Sequence, residues 1–109
     1  MTIIQRILPA ARALAARQPT FSLAEVIAEI RRVHPGVPLN AGTVRCQMAM
    51  YCVNAHPTHD GFPDKGANWK RYPHFVKVQR GVYRFYDPVA DAALYAAEVA
   101  RDGGVLAIP

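Results

Sequence analysis

Acidic residues are missing from positions 65–84 of this 109-residue chain. That stretch, KGANWKRYPHFVKVQRGVYR, holds Lys65, Lys70, Arg71, Lys77, Arg80 and Arg84. Cysteine is scarce, with only Cys46 and Cys52. Both fall in one predicted helix, six residues apart, so their side chains leave on different faces and do not readily pair. A disulfide scaffold is excluded, and a reducing, cytoplasmic location is expected. There is no C-x2-C pair, nucleophile elbow, phosphate-binding glycine loop or acidic metal cluster. An enzyme is therefore not expected, and neither is a cofactor. Long apolar runs are lacking too. Arg6, Arg12 and Arg17 interrupt the apolar N-terminus, so neither a secretory signal nor a membrane span is expected. Repeats and low-complexity segments are absent. With 51% hydrophobic residues, the chain is expected to pack as one domain over residues 1–109 rather than stay disordered.

Charge is unevenly spread. The chain carries +5 in total. Residues 1–34 set five Arg against Glu25 and Glu29, for +3. Residues 35–64 set Arg45 against Asp60 and Asp64, for −1. Residues 65–84 supply +6, and residues 85–109 set Arg101 against Asp87, Asp91, Glu98 and Asp102, for −3. A basic block beside an acidic tail points to a phosphate-bearing partner more sharply than a basic pI does.

Periodicity places the elements. Ile3, Ile4, Ile7, Leu8, Ala11, Leu14 and Ala15 recur at helical spacing over residues 2–17. Pro9 is disfavoured inside a helix, so the helix is expected to start near Leu8, with residues 2–7 as a helical or extended lead-in. Ser22 and Glu25 form a capping-box pattern ahead of a helix over 23–33, with Leu23, Val26, Ile27, Ile30 and Val33 on its apolar face. His34-Pro35-Gly36-Val37-Pro38 ends it. Asn40 is placed to cap a third helix over 41–53, with Val44, Met48, Tyr51 and Cys52 on one side. Asn40, Thr43, Gln47 and Asn54 make a polar stripe on another. Residues 55–73, with three Pro and two Gly, read as a long loop. Strands follow near 74–79 and 82–87, joined at Arg80-Gly81. Val76, Val78, Tyr83 and Phe85 are expected to share the buried face if no bulge intervenes, leaving Lys77, Arg84 and Tyr86 outside. An Ala-rich helix over 88–101 stops at Gly103-Gly104, and the apolar tail VLAIP is expected to dock.

Helix, short extended link, helix, turn, helix, basic hairpin is the outline of an α+β winged helix: a three-helix core, a β-hairpin wing and here an extra C-terminal helix. The chain resembles, over about residues 8–87, the HARE-type winged helices and related bacterial domains attached to restriction endonucleases. The shared pattern begins at Phe21-Ser22-Leu23-Ala24-Glu25-Val26-Ile27 and closes at Val78-Gln79-Arg80-Gly81-Val82-Tyr83-Arg84-Phe85. The middle segment, Thr43-Val44-Arg45 to Cys52-Val53-Asn54, is similar as well. The resemblance implies DNA binding, with sensing of modified bases. The loop at 55–73 is longer than a simple winged helix needs, and no nuclease domain is expected within residues 1–109, so the activity of larger relatives is not expected here.

The expected function is duplex DNA binding that depends on sequence or modification, in transcriptional regulation or DNA-defence sensing. Asn40, Thr43 and Gln47 are the expected base contacts, since Thr and Gln read base edges from a recognition helix. Lys70, Arg71, Lys77, Arg80 and Arg84 are the expected phosphate contacts. Arg45 lies nearer the apolar arc and is assigned to Glu25 or Glu29, or to snorkelling. Trp69 and Tyr72 are expected to pin their loop to the core rather than stack on bases. Cys52, His56, His59 and His74 offer four acceptable zinc ligands, but not at the spacing of a standard finger, and no metal is expected. The alternative function is a protein-interaction module on the same scaffold. A homodimer through the terminal helices is the expected self-contact.

Overall fold

The computed structural model describes residues 2–54 and 68–101, which form an α+β fold. Among these residues are five helices and a three-stranded antiparallel sheet. None of the helices is long and apolar enough to cross a membrane. Lys65, His56, His59 and the VLAIP tail lie outside the described residues.

Helix α1 runs Ile3–Ala15, five residues earlier than the start expected near Leu8. The start signal is a capping box. The Gln5 N–H donates to the Thr2 hydroxyl at 3.3 Å, and the Thr2 N–H donates to Gln5 Oε1 at 2.8 Å. Pro9 therefore sits inside the helix, on its exposed side, where water can serve the Gln5 carbonyl that loses a partner. The opposite face buries Ile7, Ala10, Ala11 and Leu14.

Phe21–Ser22 forms β1, and α2, Leu23–Val33, follows without a gap. Ser22 and Glu25 close the expected capping box, with bonds of 3.0 and 2.8 Å. Val26, Ile27 and Ile30 enter the core. Val33, expected on that face, is half-exposed at the helix end. Glu29 is buried and takes two bonds from the Arg32 guanidinium, at 2.7 and 3.1 Å.

Helix α3 runs Ala41–Met50, capped by Asn40. It ends three residues before the expected boundary at 53. The Tyr51 carbonyl accepts the N–H groups of His74 and Phe75, at 3.0 and 3.1 Å. Cys52 pairs in parallel with Phe75, and the Val53 N–H donates to the Phe75 carbonyl at 2.9 Å. Residues 51–53 fit a helical apolar pattern, but these long-range bonds draw them alongside the hairpin instead.

A short helix, α4, occupies Asn68–Arg71 within the expected loop. The hairpin comprises β2, Phe75–Gln79, and β3, Val82–Phe85, turning at Gly81 with φ 74°. In the sheet, β3 lies between β1 and β2. Phe75 pairs with Phe85, Val76 with Arg84, and Lys77 with Tyr83. A bulge then brings Gln79 opposite Val82 and leaves Val78 half-exposed. This corrects the expected faces. Phe75, Lys77, Tyr83 and Phe85 share the helix-facing side, where Phe75, Tyr83 and Phe85 pack with Phe21. Val76 and Arg84 point to the other side.

That other side meets the C-terminal segment. Asp87 Oδ1 accepts the N–H groups of Val89 and Ala90, so residues 87–91 form a turn and α5 spans only Ala92–Arg101. The expected helix start at Pro88 is four residues too early.

Candidate nucleic-acid interface

Helix α3 is held from within by Val44 and Met48, both fully buried in the core. Its outer side carries Thr43 and Arg45 exposed, with Cys46 and Gln47 half-buried. Asn40 is exposed, and its Oδ1 is spent on capping, accepting the Thr43 N–H at 3.2 Å. Thr43 is free of such duty among the described residues. Gln47, one turn on from Thr43, is half-buried where Thr43 is exposed. It lines a shallow groove of about 410 Å³ with Thr2 and Ile3 of the α1 start, Tyr51 and Asn68. Asn54 leaves the polar stripe altogether. Its side-chain amide donates to the Lys77 carbonyl at 2.9 Å and accepts the Lys77 N–H at 2.7 Å.

Arg45 does not take either of the acidic partners expected for it. Glu29 is paired with Arg32, and Glu25 binds the Ser22 N–H and the Gln18 amide. Arg45 instead stands exposed on α3. Its charge is felt at Tyr83, whose phenol is pushed up by burial and by Cys52, with Arg45 acting in the opposite direction.

The five expected phosphate contacts do not form one patch. Arg80 is exposed at the hairpin tip, and Lys77 is half-buried on the helix-facing side of the sheet. Arg84 faces the other way. Its guanidinium donates to both oxygens of buried Asp91, at 2.7 and 2.8 Å, so its charge is matched within the chain. That pair holds the Asp91 carboxyl below its ordinary value, chiefly through the Arg84 hydrogen bond, and raises Arg84. Lys70 and Arg71 lie on α4, at the far end of β2 from Arg80. The strand between spans about 17 Å at the usual rise per residue.

Helix α4 is anchored. Trp69 is buried, edge-on to Tyr95 of α5 with centroids 5.9 Å apart, and the Lys70 ammonium lies 5.5 Å from the Trp69 ring centre. The Tyr95 hydroxyl donates to the Lys70 carbonyl at 2.6 Å. Trp69 thus pins its segment as expected. Tyr72 does not: it is half-exposed and stacked on His74, which in turn lies 5.3 Å from the Tyr51 ring. Burial, aided by Arg12, holds the His74 imidazole below its ordinary value, so it is neutral at physiological pH.

No group of three or more His, Cys, Asp or Glu side chains among the described residues is arranged to hold a metal. Of the four ligands weighed from the sequence, Cys52 is buried, its thiol donating to Asn54 Oδ1 at 3.4 Å, and His56 and His59 lie outside the described residues.

A family model described as a domain of unknown function, DUF7669, matches residues 2–85. The chain belongs to the DUF7669 family. The match takes in every element from α1 to β3, so the DUF7669 unit holds Thr43, Arg45, Gln47, α4 and the basic hairpin. It stops short of Asp91 and α5. No curated protein and no solved structure matches the chain.

Proposed function

We propose that this domain binds duplex DNA as a winged helix, with α1, α2 and α3 as the helical core and the β2–β3 hairpin as the wing. In this reading α3 enters the major groove with Thr43 and Arg45 foremost and Asn40 at its start. Arg80 and Lys77 meet the backbone beside it, and Arg71 a more distant phosphate. Arg84 is left out, being matched by Asp91. The chemistry is recognition rather than catalysis. The setting is cytoplasmic, in transcriptional regulation or DNA-defence sensing.

One observation carries the reading. The end of α3 and the basic hairpin are bonded into one piece through Tyr51, Val53 and the Asn54 amide. A helix that reads bases and a hairpin that grips phosphates must keep a fixed spacing, and this joint supplies it. A second reading, a protein-interaction module, draws on α5. Ala92, Ala93, Ala96, Ala97 and Ala100 are exposed there, and Val89 beside them is 87% exposed. A homodimer through the terminal helices would use the same surface.

Salt separates the two. Duplex binding measured by fluorescence anisotropy should weaken steeply with added salt. The Lys77→Ala, Arg80→Ala double variant should bind all sequences less tightly and lower the salt slope by roughly one per lost phosphate contact. An unchanged slope removes the hairpin from the interface. Absence of duplex binding at low salt, with self-association on sedimentation, favours the interaction module.

A further inference from the structure

The groove between α3, α4 and the start of α1 has a composition that DNA docking at Thr43 does not use. Its apolar lining comes from Ile3, Ile4 and Met50. Two residues with carboxamide side chains also line it, Gln47 from α3 and Asn68 from α4. Neither side chain makes a hydrogen bond among the described residues, although both are half-buried. Tyr51 lines the groove too, and its ring is in contact with His74, on which Tyr72 stacks. Arg71 is exposed three residues after Asn68, on the same side of α4.

The geometry points to a site for an unpaired nucleobase. A carboxamide offers a donor and an acceptor side by side, which matches the edge of a base, adenine above all. An unstacked base also needs an apolar or aromatic surface for its faces and a cation for its phosphate. The groove brings these together, and its volume of about 410 Å³ lies within the range of small-ligand sites. A buried apolar side chain of a protein partner would leave both amides unsatisfied, at a cost. The site deepens the DNA reading and rests on it: α3 and the hairpin hold the duplex, and the groove takes a base that has left its stack.

The test compares a fully paired duplex with the same duplex carrying one unpaired adenine. The parent should prefer the second by about tenfold or more, the scale of one good base contact. Gln47→Met, which keeps volume but removes the amide, and Asn68→Ala should each bring the ratio towards one while leaving paired-duplex affinity and melting temperature unchanged. In the parent, adenosine 5′-monophosphate should shift the side-chain amide NMR signals of Gln47 and Asn68 saturably. That arm decides the matter if a variant melts early. Equal affinity for the two duplexes, or a preference that survives the double variant, overturns the site. If the paired duplex binds with a salt slope but without that preference, only the groove assignment fails. If neither duplex binds, the DNA reading fails with it.

Discussion

Helices α2 and α3 are of nearly equal length and pack on the same core, but they are built differently. Helix α2 is amphipathic, closed at its start by a reciprocal capping box and laced by Glu29 and Arg32. Helix α3 has a one-sided cap, no acidic residue, and neutral or small groups around most of its outer side. The first commits both of its carboxylates, Glu25 and Glu29, to contacts within the fold. The second leaves Thr43 and Arg45 uncommitted among the described residues. A helix whose polar groups are not needed for its own stability is one whose surface is available for a ligand.

The inner faces should not differ. Ile30→Ala in α2 and Met48→Ala in α3 each remove a buried core side chain, and each should cost about 2–5 kcal/mol in chemical denaturation. A much smaller loss at Met48 would mean that α3 is loosely held, and the comparison would fail at its base.

Loss of a cap should cost less. Ser22→Ala and Asn40→Ala should each cost about 1 kcal/mol, the usual worth of an N-cap side chain. Ser22→Ala also strands the Glu25 carboxylate, so it should be the more costly of the two in a thermal melt. Only Asn40→Ala should also weaken DNA binding.

Of these two helices, acid should single out α2. Glu25 is held below its ordinary 4.5, first by the Ser22 N–H, and Glu29 below the same value, first by the Arg32 hydrogen bond. A carboxyl with a lowered folded pKa contributes stability above its unfolded value and loses it as pH falls through the folded one. Stability should therefore decline as pH drops below about 4.5, and Glu29→Gln should flatten that decline in a series of urea melts. Acid-neutral substitutions on α3 should leave the shape of the curve alone.

The smallest effects on stability belong to the outer side of α3. Thr43→Ala and Arg45→Ala should change stability by no more than about 0.5 kcal/mol, as for exposed sites in general. Arg31→Ala, exposed on α2, is the control. If all three bind DNA alike, the contrast between the helices has no functional meaning.

What the sequence made legible follows the range of the interactions. The ends of α2 were readable because Ser22, Glu25 and the Pro35-Gly36 break act within a few residues. The hairpin turn was readable because Gly81 takes a positive φ. The start of α1 was misread because Pro9 outweighed a capping box at Thr2 and Gln5. The end of α3 was out of reach: Tyr51, Cys52 and Val53 suit a helix, and only bonds to His74 and Phe75, more than twenty residues on, draw them away. The bulge after Lys77 escaped for a related reason, since alternation of residue types does not register an extra residue. In the candidate site, the positive charges were legible and their partners were not. Arg84 meets Asp91 across a turn, and Arg45 lost its expected acidic partner because Arg32 stands one helical turn from Glu29.

The Asn54 amide has one more consequence. Strand β2 lies at the margin of the sheet, where outward N–H and C=O groups invite another chain to add a strand. At Phe75 those groups are taken by the Tyr51 carbonyl and the Val53 N–H, and at Lys77 by the two ends of the Asn54 amide. The side chain copies what the next strand's peptide group would provide. At these two residues the β2 margin is thereby closed to strand addition and to the aggregation that follows from it.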